Sequence, residues 1–160
     1  MDWGADVILG SHPHVLQSIE KLTSTDGEDT AYVIYSLGNF ISAQAAGDNL
    51  VGGVFNMTFE KEHISGVITM SEPTFVPIVT HYETAWQKNL ALYPLSEYSP
   101  DMAASHGVIR NTPAFSVEYI ESMLDEVIGA QYLDYTPWAP PVEDEEEPAE
   151  GEDSSSEAAE

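Results

Sequence analysis

A chain of 160 residues with 28 acidic and four basic side chains carries a formal charge of −24. Only Lys21, Lys61, Lys88 and Arg110 could displace counterions, so the basic surface that a nucleic-acid backbone requires is missing. The absence of cysteine excludes a disulfide framework, a zinc–thiolate centre and a thiol nucleophile, and no apolar run approaches the roughly 20 residues that cross a bilayer.

The length fits one domain. Its charge is uneven: residues 143–160 hold ten acidic residues and no basic one, leaving 18 acidic against four basic before them, a balance of −14. The body is therefore acidic in its own right, attracting cations and repelling anionic polymers unless a metal intervenes. The opening Met1-Asp2-Trp3-Gly4-Ala5-Asp6 lacks the basic start and apolar stretch of a secretory signal.

Taken in chain order, Ala5–Gly10 and Ala31–Leu37 are continuous apolar runs, the pattern of strands covered on both faces. Between them Ser24–Asp29 is small and polar, which favours turns. Gly53–Glu60 and Ile64–Met70, separated by charged Lys61-Glu62-His63, predict an antiparallel hairpin. Thr74–Thr80 predicts a further strand, with Pro77 pushing it to an edge. Ser99 and Pro100 predict a short capped helix ending near Gly107. Ser116 caps a longer one in which Val117, Ile120, Leu124 and Val127 recur at helical steps before Gly129. From Pro140-Pro141 onward the composition turns acidic and Ser-rich and predicts disorder.

The chemistry-bearing stretch is Gly10-Ser11-His12-Pro13-His14, directly after the first strand. Imidazole suits divalent transition metals, and the carboxyl end of a strand faces the crevice where α/β proteins bind ligands. Pro13 disfavours helical geometry at His12, so an extended segment is expected, projecting both imidazoles to one side. The competing reading is a pair of surface histidines, since one His-x-His is half a zinc-type site. Asn39 either turns the chain after Gly38 or, with the Ser36 hydroxyl, orients substrate or a metal-bound water. Glu20 is either solvated or accepts a hydrogen bond from a ligating imidazole. His63 and His81 are expected to be structural or exposed, and His106 to be a cationic imidazole at a helix C-terminus. Phe40, Phe55, Phe59 and Phe75 are expected in the core; Trp86 and Trp138 are either core or a carbohydrate platform.

The run Gly4–Glu20, followed by Ile34-Tyr35-Ser36-Leu37-Gly38-Asn39-Phe40, closely resembles the CapA-like poly-γ-glutamate capsule-synthesis family. The likeness continues more loosely through Pro77, Thr80-His81-Tyr82 and Tyr93-Pro94-Leu95, covering roughly residues 2–130. That family is similar to calcineurin-type metallophosphoesterases, whose last metal-binding motif is a Gly-His-x-His element. The resemblance implies that His12 and His14 are catalytic metal ligands, with Ser11, Gln17, Glu20, Ser36 and Asn39 around substrate or ligands. It implies an α/β fold, an α/β/β/α sandwich of which residues 1–138 form the C-terminal part, ahead of a disordered tail over 139–160. The family's earlier Asp, Asn, His and acidic ligand motifs have no counterpart here. The implied activity is that of a metal-dependent hydrolase-like protein using one or two Mn, Zn or Fe ions. Its role would be the synthesis, export or anchoring of an anionic polymer such as poly-γ-glutamate. Implied partners are that polymer and membrane-bound capsule-synthesis proteins, with an extracytoplasmic or cell-surface location. The alternative is a non-catalytic surface or assembly module, or an inactive truncated product.

Overall fold

The computed structural model describes residues 4–84 and 88–137. Trp86, Trp138 and the acidic tail expected to be disordered lie outside the described residues. The described elements, in order, are β1 (Val7–Leu9), β2 (Ile19–Thr23), β3 (Thr30–Ile34), β4 (Val51–Asn56), β5 (Phe59–Lys61), β6 (Ile68–Met70), β7 (Thr74–His81), β8 (Ala91–Pro94), α1 (Pro100–Ser105) and α2 (Val117–Val127). The chain is thus mixed α/β, with small sheets and few helices.

Three short sheets carry the strands. β3 lies between a parallel β1 and an antiparallel β2, β7 lies between antiparallel β4 and β8, and β5 pairs β6 alone. The isolated bridge Leu16↔Leu37 extends the β2–β3 pairing, and Gly38↔Gly52 stitches that end of the first sheet to β4 of the second. The apolar run expected as a strand covered on both faces is, at β1, an edge. Ile8 and Leu9 are 45% and 58% exposed, whereas Ala31–Ile34 in central β3 are buried.

The second sheet departs from expectation in an instructive way. The run Gly53–Glu60 is not one strand: it breaks after Asn56, β4 goes to β7, and only Phe59–Lys61 enters the small hairpin with β6. Nor is Pro77 on an edge strand, because β7 is central. The N–H and C=O of Phe75 bond Tyr132 and Asp134 on the side away from β4. The Pro77 nitrogen points to that same side, two residues on. There it meets the gap between Leu133 and the start of β8 pairing at Ile78, so no ladder bond is lost. Opposite, Gly53 accommodates the Phe75 ring, which a Cβ would meet at 1.9 Å.

Helices begin where the capping residues place them. Ser99 Oγ accepts from Met102 N–H at 3.2 Å, and Ser116 Oγ accepts from Tyr119 N–H at 3.1 Å. α2 buries Ile120 and Leu124 fully and stops at Gly129, whose φ of 88° a side chain would strain. Each such buried aliphatic contributes about 1.5–3 kcal/mol by removal from water. The core gathers Ile34, Leu50, Val51, Phe75, Val79, Tyr98, Val108 and Phe115 with these two. Of the expected core phenylalanines, Phe75 is fully buried and Phe55 packs against the core. Phe40 and Phe59 do not, at 59% and 55% exposed: Phe40 lines an apolar groove, and Phe59 sits on the two-stranded β5–β6 hairpin.

His106 does cap α1, but as a neutral ring rather than a cation. It is 3% exposed, accepts from Val108 N–H at Nδ1, and donates from Nε2 to the Thr80 carbonyl, both at 2.9 Å. Burial, reinforced by neighbouring His81, lowers its pKa to about 4 against the pull of the Thr80 carbonyl. The weak favour of a helix C-terminus for positive charge is smaller than the cost of burying that charge.

Candidate functional site

β1 and β3 run parallel, so the loops that follow them, 10–15 and 35–44, leave from the same end of the sheet. That is the end at which open α/β sheets bind ligands. The two loops are pressed together by backbone contact. Gly10 N–H bonds Ile34 O at 2.7 Å, and a Cβ on Gly10 would stand 2.1 Å from Tyr35 O. Gly38 turns with φ 69°, and Gly52 lies so close to Asn39 that a Cβ would meet Asn39 O at 2.1 Å. Only glycine fits these crossings, and together they bring Asn39 against the histidine loop.

The histidine loop itself is not extended. His12 has φ 110° and His14 φ 61°, and the chain bends from His12 through Val15. Left-handed backbone at a non-glycine residue costs on the order of 1–3 kcal/mol, so the surroundings must hold it. They do so at His14. Its carbonyl accepts from Asn49 Nδ2 at 2.8 Å and from Asn39 Nδ2 at 3.3 Å, while its ring Nδ1 lies 2.8 Å from Asn39 Oδ1. Asn39 Nδ2 also donates to Asn49 O and to Gln44 Oε1, both at 2.8 Å. The segment that supplies Asn49 is anchored from the helical side. Gly47 N–H bonds Thr112 Oγ1 at 3.0 Å, Asn111 Nδ2 bonds Ala45 O at 3.0 Å, and the Tyr119 hydroxyl donates to Asp48. Burial first, then this carboxylate, pushes the Tyr119 hydroxyl up to about 12.

The other candidate residues divide around this cluster. Ser11 is exposed beside His12. Ser36 is fully buried, its hydroxyl accepting from Gly38 N–H at 3.3 Å, so it shapes the Gly38 turn rather than the crevice rim. Gln17 is exposed and its backbone N–H bonds Ser36 O at 3.1 Å. Glu20 meets no imidazole: it accepts from the Tyr35 hydroxyl at 3.3 Å and from Ser18 at 3.4 Å. Its charge raises the Tyr35 pKa. Asn49 and Gln44 went unread in the sequence, and nothing local marks them; Asn49 stands 35 residues from its His14 partner.

The His12 and His14 ring centres are 6.4 Å apart, tilted by 41°. An imidazole centre stands about 3.2 Å from an ion bound at roughly 2.1 Å, so two ligands on one tetrahedral ion have centres about 5.3 Å apart. Both side chains are exposed, so the rings have room to adjust toward that spacing. The donor set thus fits a divalent ion as two ligands of about four. Among the described residues, no group of three or more His, Asp or Glu is placed to hold an ion.

Residues 1–44 match the family described as bacterial capsule synthesis protein PGA_cap. The stretch holds the whole of β1, the histidine loop, Ser36 and Asn39. Over 43 residues, 27% of this chain, the sequence is 49% identical to the PGA biosynthesis protein CapA of Bacillus subtilis (strain 168), and the matched stretch spans 10% of that protein's length. Over this N-terminal segment the chain is similar to CapA-like capsule-synthesis proteins. The looser likeness around Pro77, His81 and Tyr93 lies beyond the matched residues. No solved structure matches the chain.

Proposed function

We propose that this chain contributes the histidine-bearing loop of a metal-dependent, hydrolase-like protein of poly-γ-glutamate capsule synthesis. The observation that carries this is the placement of His12 and His14, ring centres 6.4 Å apart, at the carboxyl end of the parallel β1–β3 pair, inside the segment similar to CapA. The two imidazoles would hold a Mn, Zn or Fe ion, which when bound polarises a phosphoryl or acyl-type oxygen and activates water. The chain's own part is positional. Asn49 and Asn39 grip the His14 carbonyl and fix the loop, and the two rings are exposed. A body with 18 acidic against four basic residues ahead of the tail repels a polyanion, so metal would hold a poly-γ-glutamate substrate. Within this reading the β1–β3–β2 sheet supplies closing strands of an α/β/β/α sandwich, at an extracytoplasmic or cell-surface location.

Calorimetric titration of the chain with Mn²⁺ and with Zn²⁺ tests the site. Weak binding is expected, since two ligands are half a site, and it should disappear on His12→Ala with His14→Ala while His63→Ala leaves it intact. Binding that survives the double substitution, or a native chain that takes up neither ion, refutes the metal centre and leaves the non-catalytic assembly module.

A further inference from the structure

We propose that Asn39 is a positioning residue that holds His14 as its Nδ1–H tautomer and so reserves Nε2 for a ligand. The benefit to an ion rests on the metal-site reading; the tautomer does not. The two ends of the Asn39 amide are chemically distinguishable here. Its Nδ2 faces the backbone carbonyls of Asn49 at 2.8 Å and His14 at 3.3 Å, groups that only accept. Turning the amide over would set oxygen against the Asn49 oxygen at 2.8 Å, so the orientation is fixed by its partners. Oδ1 is then the atom 2.8 Å from His14 Nδ1, and an amide oxygen carries no proton. His14 must therefore donate from Nδ1, and in the neutral ring the unprotonated nitrogen is Nε2.

Backbone placement makes the device rigid. Asn39 follows the left-handed Gly38 and lies so close to Gly52 that no Cβ fits between them. Asn49, whose carbonyl orients the Asn39 amide, uses its own Nδ2 to hold the His14 carbonyl at 2.8 Å. Ring and backbone of His14 are thus held by one pair of asparagines that also bond each other. His12 has no equivalent: among the described residues its ring makes no hydrogen bond, and the aromatic ring near it is that of His14. The two histidines are therefore unequal, His14 preset and His12 adaptable.

Long-range proton–nitrogen spectra of the 15N-labelled chain, recorded where imidazoles are neutral, read the tautomer directly. The His14 signals are identified by their loss in His14→Ala. The expected spectrum shows a protonated-type Nδ1 and an unprotonated-type Nε2. In Asn39→Ala the two should move toward averaged values as both tautomers are populated. Asn39→Asp keeps the acceptor while giving up the Asn49 bond, and should restore Nδ1–H. Removing such a partner should also weaken Zn²⁺ binding by about 10- to 100-fold. A native His14 protonated on Nε2, or an Asn39→Ala spectrum like the native one, overturns the assignment. If Asn39→Ala fails to fold, the native spectrum and Asn39→Asp decide it alone. If the Nδ1–H form is present but Zn²⁺ leaves the Nε2 signal unmoved, the metal site fails and the positioning role of Asn39 stands.

Discussion

Acid should destabilise this protein through His106, beyond the general effect of protonating its carboxylates. The ring is buried edge-on against His81 (4.7 Å between centres), Tyr82 (4.5 Å) and Phe115 (5.0 Å). Its two nitrogens are both committed in the neutral form, Nδ1 accepting from Val108 N–H and Nε2 donating to Thr80 O. A proton added to Nδ1 would point at another donor. Burial is the main cause that brings the pKa from 6.5 to about 4. His81 is lowered too, by burial, with Glu83 opposing.

In the unfolded chain His106 binds its proton near pH 6.5, while the folded protein resists it. Stability is therefore intact above that pH and is lost progressively as pH falls through the window toward 4. A shift of this size corresponds to about 3 kcal/mol at the acid end. Urea denaturation at several pH values between 7 and 4 measures it, with His106→Asn as the comparison. Asn offers Val108 an acceptor but does not titrate, and it leaves Thr80 O unpaired at every pH, so the slope rather than the absolute stability is compared. The native protein should lose about 3 kcal/mol more across the window than His106→Asn. Equal slopes, or a folded-state His106 that titrates near 6 by proton NMR, would refute the reasoning.

Two further outcomes concern stability alone. Ser116→Ala removes the acceptor for Tyr119 N–H and should cost about 1 kcal/mol in urea melts, with the helix retained; no change would show that the cap is dispensable. Leu124→Ala opens a cavity at a fully buried position of α2 and should cost about 2–5 kcal/mol, and a loss below 1 kcal/mol would mean that α2 is not docked as described.

The elements legible in the sequence were those with local causes. Ser99-Pro100 and Ser116 cap helices through hydrogen bonds spanning three residues, and Gly129 ends one through its own backbone freedom. Strand β3 was legible as an apolar run. β2 and β8 were missed: Glu20-Lys21 interrupts one, and the other is only four residues long. The break of Gly53–Glu60 into β4 and β5 has no local signal, because it depends on which partner each half finds. Pro77 misled for the same reason, since a local rule cannot know that β8 stops one residue short of it.

For the site, the sequence alone determined the donors: two imidazoles after an apolar strand, a glycine-flanked asparagine, and no thiol, all of which are properties of residue type and spacing. The tertiary structure decided their geometry. It bent the histidine loop that Pro13 suggested would be extended, withdrew Ser36 into the interior and moved Glu20 to Tyr35. It also brought in Asn49 from 35 residues away to hold His14. The physical reason is that hydrogen-bond direction and burial depend on where separate segments cross. In this protein those crossings are set by glycines 10, 38 and 52, at which a single Cβ would push the backbones apart.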